Sequence, residues 1–322
     1  RPRLTLMDAR ETSSKRILVI KLGALGDVIQ ALGPMNAIRK NHSNDHITLM
    51  TTKAFGELLD TANVSDDIII DKRPKSLDLI GWLGLRRTLR NGEFDRVYDL
   101  QTSSRSNRYA QLFWPGPYPE WSGIVSGCSH PHSNPDRDDM HTIERQTEQL
   151  LATGISAVPS PDLAPFVRDV SHLKLPPSYC MIAPGGAQHR QDKRWQTLRY
   201  REVVQRLDQS PTSPVLCGGP EELKLCTQIA QGCQNVRNLA GQTSLVDLVN
   251  VAKGAQFALG NDNGPMHIAA TANTKSFVLY SHASDPALCA QRGQDVTIIR
   301  RESLDDLSVD DVMASISKAG GS

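Results

Sequence analysis

The chain predicts an α/β protein built as two similar halves, each a parallel sheet with helices packed on it. Short apolar runs bounded by turn residues alternate with longer stretches of helical periodicity from residue 16 to residue 318. Runs such as Ile17-Leu18-Val19-Ile20 are apolar at every position, as strands buried on both faces of a parallel sheet must be. A proline-rich stretch, Pro159 to Pro177, divides the series in two.

In the first half, 16–158, strands are expected at 16–20, 46–50, 67–70 and 96–100. Helices are expected near 27–40, 54–61, 76–91 and 105–113. Residues 114–140, rich in Pro, Gly, Ser, His and Asp, read as a long loop, followed by a helix at 141–153. Residues 159–177 read as the linker. In the second half, 178–322, strands are expected at 179–183, 214–217, 235–239, 256–259, 275–280 and 296–299. Helices are expected near 196–208, 220–231, 244–252, 265–272 and 305–318, the last packing back on the first half. Residues 1–15 are polar and basic and read as a disordered or vector-derived lead, with Met7 a candidate start.

Composition excludes several function classes. A formal net charge of +1 and 5% aromatic residues give no electrostatic or stacking case for nucleic acid. No apolar run approaches the ~20 residues that span a bilayer. The six cysteines form no Cys-x-x-Cys pair and read as free thiols of a cytoplasmic protein, with neither disulfide nor zinc implied.

Three strand-to-helix turns carry the chemistry. Gly260-Asn-Asp262-Asn263-Gly264-Pro265-Met266-His267 joins an apolar strand to a helix that Pro265 suits at its first turn. A helix start offers N–H groups and a partial positive charge, an arrangement that binds phosphate; Asp262 or Asn263 could equally be a plain cap. Pro184-Gly185-Gly186-Ala187 opens a second glycine turn, followed by Lys193 and two arginines. It lacks the Gly-Lys-Ser/Thr of a Walker loop. Two such turns suit one diphosphate held between them. The third, Lys21-Leu22-Gly23-Ala24-Leu25-Gly26-Asp27, has no Gly-x-Gly start, and the next strand ends in Thr51-Thr52-Lys53 where a ribose-binding acid would stand. A simple NAD site is thereby rejected. Asp27 is either a helix cap or a carboxylate base aimed into a cleft. All three turns follow strands, and ligands in open parallel sheets bind beyond strand carboxyl ends. Two Rossmann-like halves facing each other would set Asp27 opposite the other two turns.

Five segments in order, from Arg16-Ile-Leu-Val-Ile-Lys-Leu-Gly-Ala-Leu-Gly-Asp27 through Asp99-Leu-Gln, Pro184-Gly-Gly…Lys193-Arg-Trp and Leu216-Cys-Gly-Gly-Pro-Glu221 to Gly260–His267, resemble family 9 of the glycosyltransferases, the ADP-heptose:lipopolysaccharide heptosyltransferases. Asn238-Leu239-Ala-Gly-Gln also fits. The resemblance implies a two-domain GT-B fold, an inverting transfer without metal or other cofactor, and a nucleotide-sugar donor, ADP-heptose, bound mainly by the second half. On it Asp27 is the base, and Gly185, Gly186, Lys193, Asp262, Asn263, Gly264, Pro265, Met266 and His267 hold the diphosphate side. Glu221 is placed for the ribose, and the Leu239-Ala240-Gly241 segment passes the adenine by backbone contacts. Gly23-Ala24 departs from the Ser or Thr that members often carry there.

The acceptor side is argued from charge. Lys72, Arg73, Lys75, Arg86, Arg87, Arg90, Arg105 and Arg108 make the first half locally basic. That suits an anionic lipid-linked or lipopolysaccharide-core acceptor, or the cytoplasmic face of the inner membrane. Arg105 and Arg108 follow a strand end and are the expected acceptor contacts.

Overall fold

A computed structural model describes residues 14–187 and 190–320, apart from the side chains of 319 and 320. The expected lead, but for Ser14 and Lys15, lies outside the described residues, as do Gln188 and His189 of the second turn.

The first half runs β1 (Arg16–Ile20), α1 (Leu25–Gln30), α2 (Leu32–Asn41), β2 (His46–Thr51), α3 (Gly56–Thr61), β3 (Asp67–Ile70), α4 (Leu79–Asn91), β4 (Arg96–Asp99), α5 (Ser104–Gln111), β5 (Glu120–Gly123), β6 (His130–Pro131) and α6 (Thr142–Leu151). The second runs β7 (Tyr179–Ala183), α7 (Thr197–Asp208), β8 (Ser213–Leu216), α8 (Leu223–Ile229), β9 (Arg237–Asn238), α9 (Leu245–Gly254), β10 (Ala258–Asn261), α10 (Gly264–Thr271), β11 (Ser276–Tyr280), α11 (Pro286–Cys289), β12 (Val296–Arg300) and α12 (Val309–Gly320).

Each half holds a six-stranded sheet, ordered β3-β2-β1-β4-β5-β6 and β12-β11-β10-β7-β8-β9. Every pairing is parallel. The two sheets share one topology, since the second order is the first read from its other edge. In both, the winding changes direction at the central pair, β1 beside β4 and β7 beside β10. Loops leaving such a pair diverge and open a crevice at the carboxyl edge. The Asp27, 184–193 and 262–264 turns leave β1, β7 and β10, so topology alone delivers all three to such crevices.

Several elements depart from expectation. The helix expected at 27–40 is two, broken at Ala31, because Pro34 has no N–H to give the Gln30 carbonyl. The expected loop 114–140 contains β5 and β6, which extend the first sheet; its four-residue and two-residue strands are too short to show as apolar runs. The linker is not a slack tether. Its Leu163, Phe166 and Leu173 are buried, and Arg168 pairs with Asp247 on α9 at 2.9 Å. The last helix does not return to the first half. Val309 and Val312 pack with Tyr200, Val203 and Val204 of α7, so its apolar stripe is spent within its own half.

Beside the crevices the halves pack directly against each other. One cluster of buried side chains runs from Ile17 and Val19 on β1 through Val28 on α1 to Met266 on α10 and Met181 on β7. At its centre the N-terminal turns of α1 and α10 touch. A Cβ on Gly26 would lie 2.5 Å from the His267 ring, and one on Gly264 would lie 2.7 Å from the Leu25 Cβ. Gly264 is thus required by close approach and not by an unusual backbone angle. Around this contact the Ala290 carbonyl accepts from Gln30 Nε2 at 3.1 Å and from His141 Nε2 at 2.9 Å, both on the first half.

Glycine substitutions test this packing. Gly26→Ala should lower stability by about 1–3 kcal/mol through overpacking. Gly84→Ala should raise it by about 0.5–1 kcal/mol, because Gly84 lies within α4 and a Cβ there meets nothing within 4 Å. Urea unfolding midpoints moving in opposite directions are expected; an unchanged Gly26→Ala midpoint would contradict the contact.

Candidate functional site

Between the halves lies a cleft of ≈ 960 Å³. Its first-half wall is Ala24 to Asp27 at the start of α1. Its second-half wall includes Gly185, Gly186, Lys193, Gly218, Gly219, Glu221, Glu222 and the Asp262–Pro265 turn with His267. The two glycine turns and the Asp27 turn, far apart in sequence, therefore share one space.

Asp27 sits in the first turn of α1, where its Oδ2 accepts the Ala24 N–H at 3.2 Å. The cap and the cleft-facing carboxylate, left as alternatives by the sequence, coexist. Gly23, at φ +136°, adopts a backbone conformation open to glycine, and the Phe55 ring lies 3.0 Å from where its Cβ would be.

Across the cleft, Lys193 Nζ donates to Asp262 Oδ2 at 2.7 Å. The Asp262 side chain is only 7% exposed and its remaining capacity is filled: Ser284 Oγ donates to Oδ2 at 2.7 Å, Tyr280 OH to Oδ1 at 3.1 Å, and Gln291 Nε2 to Oδ1 at 3.1 Å. Burial pushes the Asp262 carboxyl up, but the hydrogen bonds from Lys193 and Ser284 and the Lys193 charge outweigh it and hold it below the usual carboxylate range. A carboxylate so surrounded cannot also face a diphosphate. Asp262 anchors the ammonium, and Lys193 is the member of the pair that a phosphate could share. Tyr280, Ser284 and Gln291 complete this anchor and were missed in the sequence, since they come from β11 and the loops after it.

Asn263 lines the cleft, yet its amide is occupied. Oδ1 caps α10 by accepting the Met266 N–H at 3.2 Å, and Nδ2 donates to the Ala183 and Gly185 carbonyls, each at 2.9 Å. Buried Asn261 clasps the same turn, donating to Pro184 O at 2.7 Å and accepting from Trp195 N and Tyr200 OH. Pro265 has no N–H and the Met266 N–H is taken, so the α10 start offers charge chiefly through its dipole. Met266 and Leu239 are fully buried and do not line the cleft. Their expected donor contacts are therefore corrected to packing beneath the site.

Glu221 lines the cleft as an exposed carboxylate. Its neighbour Glu222, not singled out in the sequence, is the more embedded. It accepts the Gly219 N–H at 2.6 Å, and Gly185 lacks a side chain because a Cβ there would lie 2.5 Å from Glu222 Oε1. Burial raises its pKa.

Arg105 and Arg108 do not reach the cleft. Arg105 lies over the Trp82 ring at 5.7 Å and donates to Pro74 O at 3.1 Å; Arg108 is exposed on α5. The cation linked to Asp27 is Lys21, just after β1. Lys21 is buried, with its pKa lowered by burial against the opposing pull of Asp27, and Arg145 on α6 lowers it further. Arg145 also acts on Arg137, whose Nη2 donates to Thr102 Oγ1 at 2.6 Å. Asp99 in this group is pushed up to about 6, mainly by burial. The basic side chains sit after β1, in the 137–139 turn and on α6, a convergence no local pattern reveals. Among the described residues no group of three His, Cys, Asp or Glu side chains could hold a metal ion.

Two parallel sheets with the same winding, facing across a glycine-lined cleft, form the GT-B fold. Residues 82–311 match glycosyltransferase family 9 (heptosyltransferase), and the chain belongs to that family. It is 24% identical over 289 residues to the lipopolysaccharide core heptosyltransferase OpsX of Haemophilus influenzae, covering 83% of this chain and 79% of that one. Its fold is similar to that of Escherichia coli ADP-heptose lps heptosyltransferase II, with a TM-score of 0.76, 21% identity and coverage of 94% and 98%. It is likewise similar to E. coli heptosyltransferase WaaC with ADP, at a TM-score of 0.73, 20% identity and coverage of 94% and 99%.

His267 gives a pH test of the packed centre. Burial lowers its pKa from 6.5 to about 4, against the attraction of Asp262 and Asp27. The unfolded chain therefore takes up this proton first. The contribution to stability is full above 6.5 and is lost as pH falls toward 4, by up to about 3 kcal/mol. Wild type should lose more stability than His267→Gln between pH 7 and pH 4.5 in urea titrations. Parallel pH profiles would place the imidazole in solvent.

Proposed function

We propose that the chain moves a heptose from ADP-heptose to a lipopolysaccharide inner-core acceptor in the cytoplasm, with inversion and without a metal in the chemistry. The observation that carries this reading is the Lys193–Asp262 pair at the α10 start, across one cleft from Asp27. The names of OpsX and the E. coli ADP-heptose enzyme supply the donor and acceptor classes.

In this reading the donor diphosphate lies along Lys193, the Gly185-Gly186 turn and the positive end of α10. Glu221 is free at the cleft wall to accept ribose hydroxyls. The acceptor hydroxyl attacks the anomeric carbon from the side opposite the diphosphate. Its proton passes to Asp27 as the new C–O bond forms. The bond from that carbon to the phosphate oxygen breaks, and its electron pair leaves with ADP. The charge that grows there is met by Lys193 and the helix dipole, already in place before reaction. Anionic groups of the acceptor fall to basic side chains of the first half outside the cleft lining, with the Arg137 and Arg145 group one candidate.

Asp27→Asn keeps the cap and removes the base. Turnover should fall about 10²- to 10⁴-fold with ADP affinity nearly kept, and wild-type activity should survive a strong chelator. Undiminished turnover of Asp27→Asn would reject it as the base. Activity abolished by chelation and restored by magnesium would reject the metal-free step.

A further inference from the structure

Helix α4 already has its core contact. Leu85 and Leu89 are buried and Trp82 half-buried, one stripe at helical spacing. The opposite side ought to be polar. Instead Leu79 is 72%, Ile80 84% and Leu83 63% exposed, and Leu77 just before the helix is 94% exposed. Four large aliphatic side chains in seven residues stand in solvent, and Gly84 adds no bulk among them. Such a protruding cluster has no stabilising role in an isolated chain.

Its surroundings select the partner. Residues 72–91 carry six basic side chains, Lys72, Arg73, Lys75, Arg86, Arg87 and Arg90, against one acid, Asp78, which caps α4 by accepting the Gly81 N–H at 2.8 Å. Lys72, Arg73, Lys75 and Arg87 are exposed. Arg86 and Arg90 donate to the carbonyls of Trp114 and Gly116, which fastens to α4 a turn bearing Trp114, itself 67% exposed. Aliphatic side chains flanked by cations, with an exposed Trp beside them, suit a bilayer interface with anionic headgroups. Among the described residues no helix is long and apolar enough to cross a membrane, so the contact is peripheral.

We propose that the outer face of α4, with Leu77 and the Trp114 turn, is a docking surface for an anionic lipid bilayer. The segment 71–78 leaves the carboxyl end of β3, the same sheet edge that carries the Asp27 turn, so docking brings the cleft's first-half wall toward the lipid surface. The proposal stands independently of the reaction.

Co-sedimentation with vesicles of phosphatidylcholine alone, or containing 30 mol% phosphatidylglycerol, tests it. Wild type should sediment with the anionic vesicles and not with the neutral ones, and should be released by high salt. Leu79→Ser/Ile80→Ser/Leu83→Ser should reduce the bound fraction at least tenfold with an unchanged urea midpoint. Lys75→Glu/Arg87→Glu, which leaves every apolar side chain in place, should do the same. No sedimentation of wild type, equal binding to both vesicles, or full binding by either variant would overturn it. So would a wild-type dimer that the triple serine variant dissolves, since the face would then serve a second copy.

Discussion

Two helix starts, one from each sheet, meet where Gly26 lies against the His267 ring and Gly264 against the Leu25 side chain. Everything else in the cleft is placed relative to that contact. Because α1 and α10 each follow a central strand, their N-terminal turns are the points where the sheets can approach most closely. A Cβ at either glycine would push the halves apart by an ångström or more, and an error of that size is enough to spoil the alignment of reacting groups. The buried core that continues across both halves resists such a shift. The neutral His267 ring fills the space beside Gly26 and sits between the charges of Asp27 and Asp262 without adding one of its own.

The second-half wall is built from polar groups that are already satisfied. Asn261 and Asn263 hold the 183–185 turn by its carbonyls, and Asp262 collects four donors. Buried polar groups with complete partners are stiff, since any movement would leave one unpaired. Lys193 projects into this wall from a flexible stem, and its anchor fixes where the ammonium rests. A site that holds its cation in place by its own hydrogen bonds has little to reorganise when an anion arrives.

The sequence displayed those parts of the fold that are local. Strands buried on both faces are apolar at every position, and the three turns follow such strands directly, so β1, β7, β10 and Asp27, Lys193 and Asp262 were all visible. What was not visible depends on contacts between distant segments. Glu221 and Glu222 are adjacent and alike, and only the approach of Gly185 distinguishes the embedded one. Arg105 follows a strand end as an acceptor contact should, yet the Trp82 ring and the Pro74 carbonyl claim it. Leu239 and Met266 lie inside the right motifs but point into the core, because an apolar residue beside a cleft is more useful under it than in it. β5 was lost in a stretch of Pro, Gly and Ser, where a four-residue strand has no periodicity to show.

The central claim is that Lys193, anchored by Asp262, meets a diphosphate at the α10 start. Calorimetric binding of ADP and of adenosine to wild type and to Lys193→Ala tests it most directly. The account predicts that ADP weakens by about 1.5–3 kcal/mol, the share of a charged hydrogen bond, while adenosine binding is unchanged. An equal loss for both ligands, or none for ADP, would contradict it.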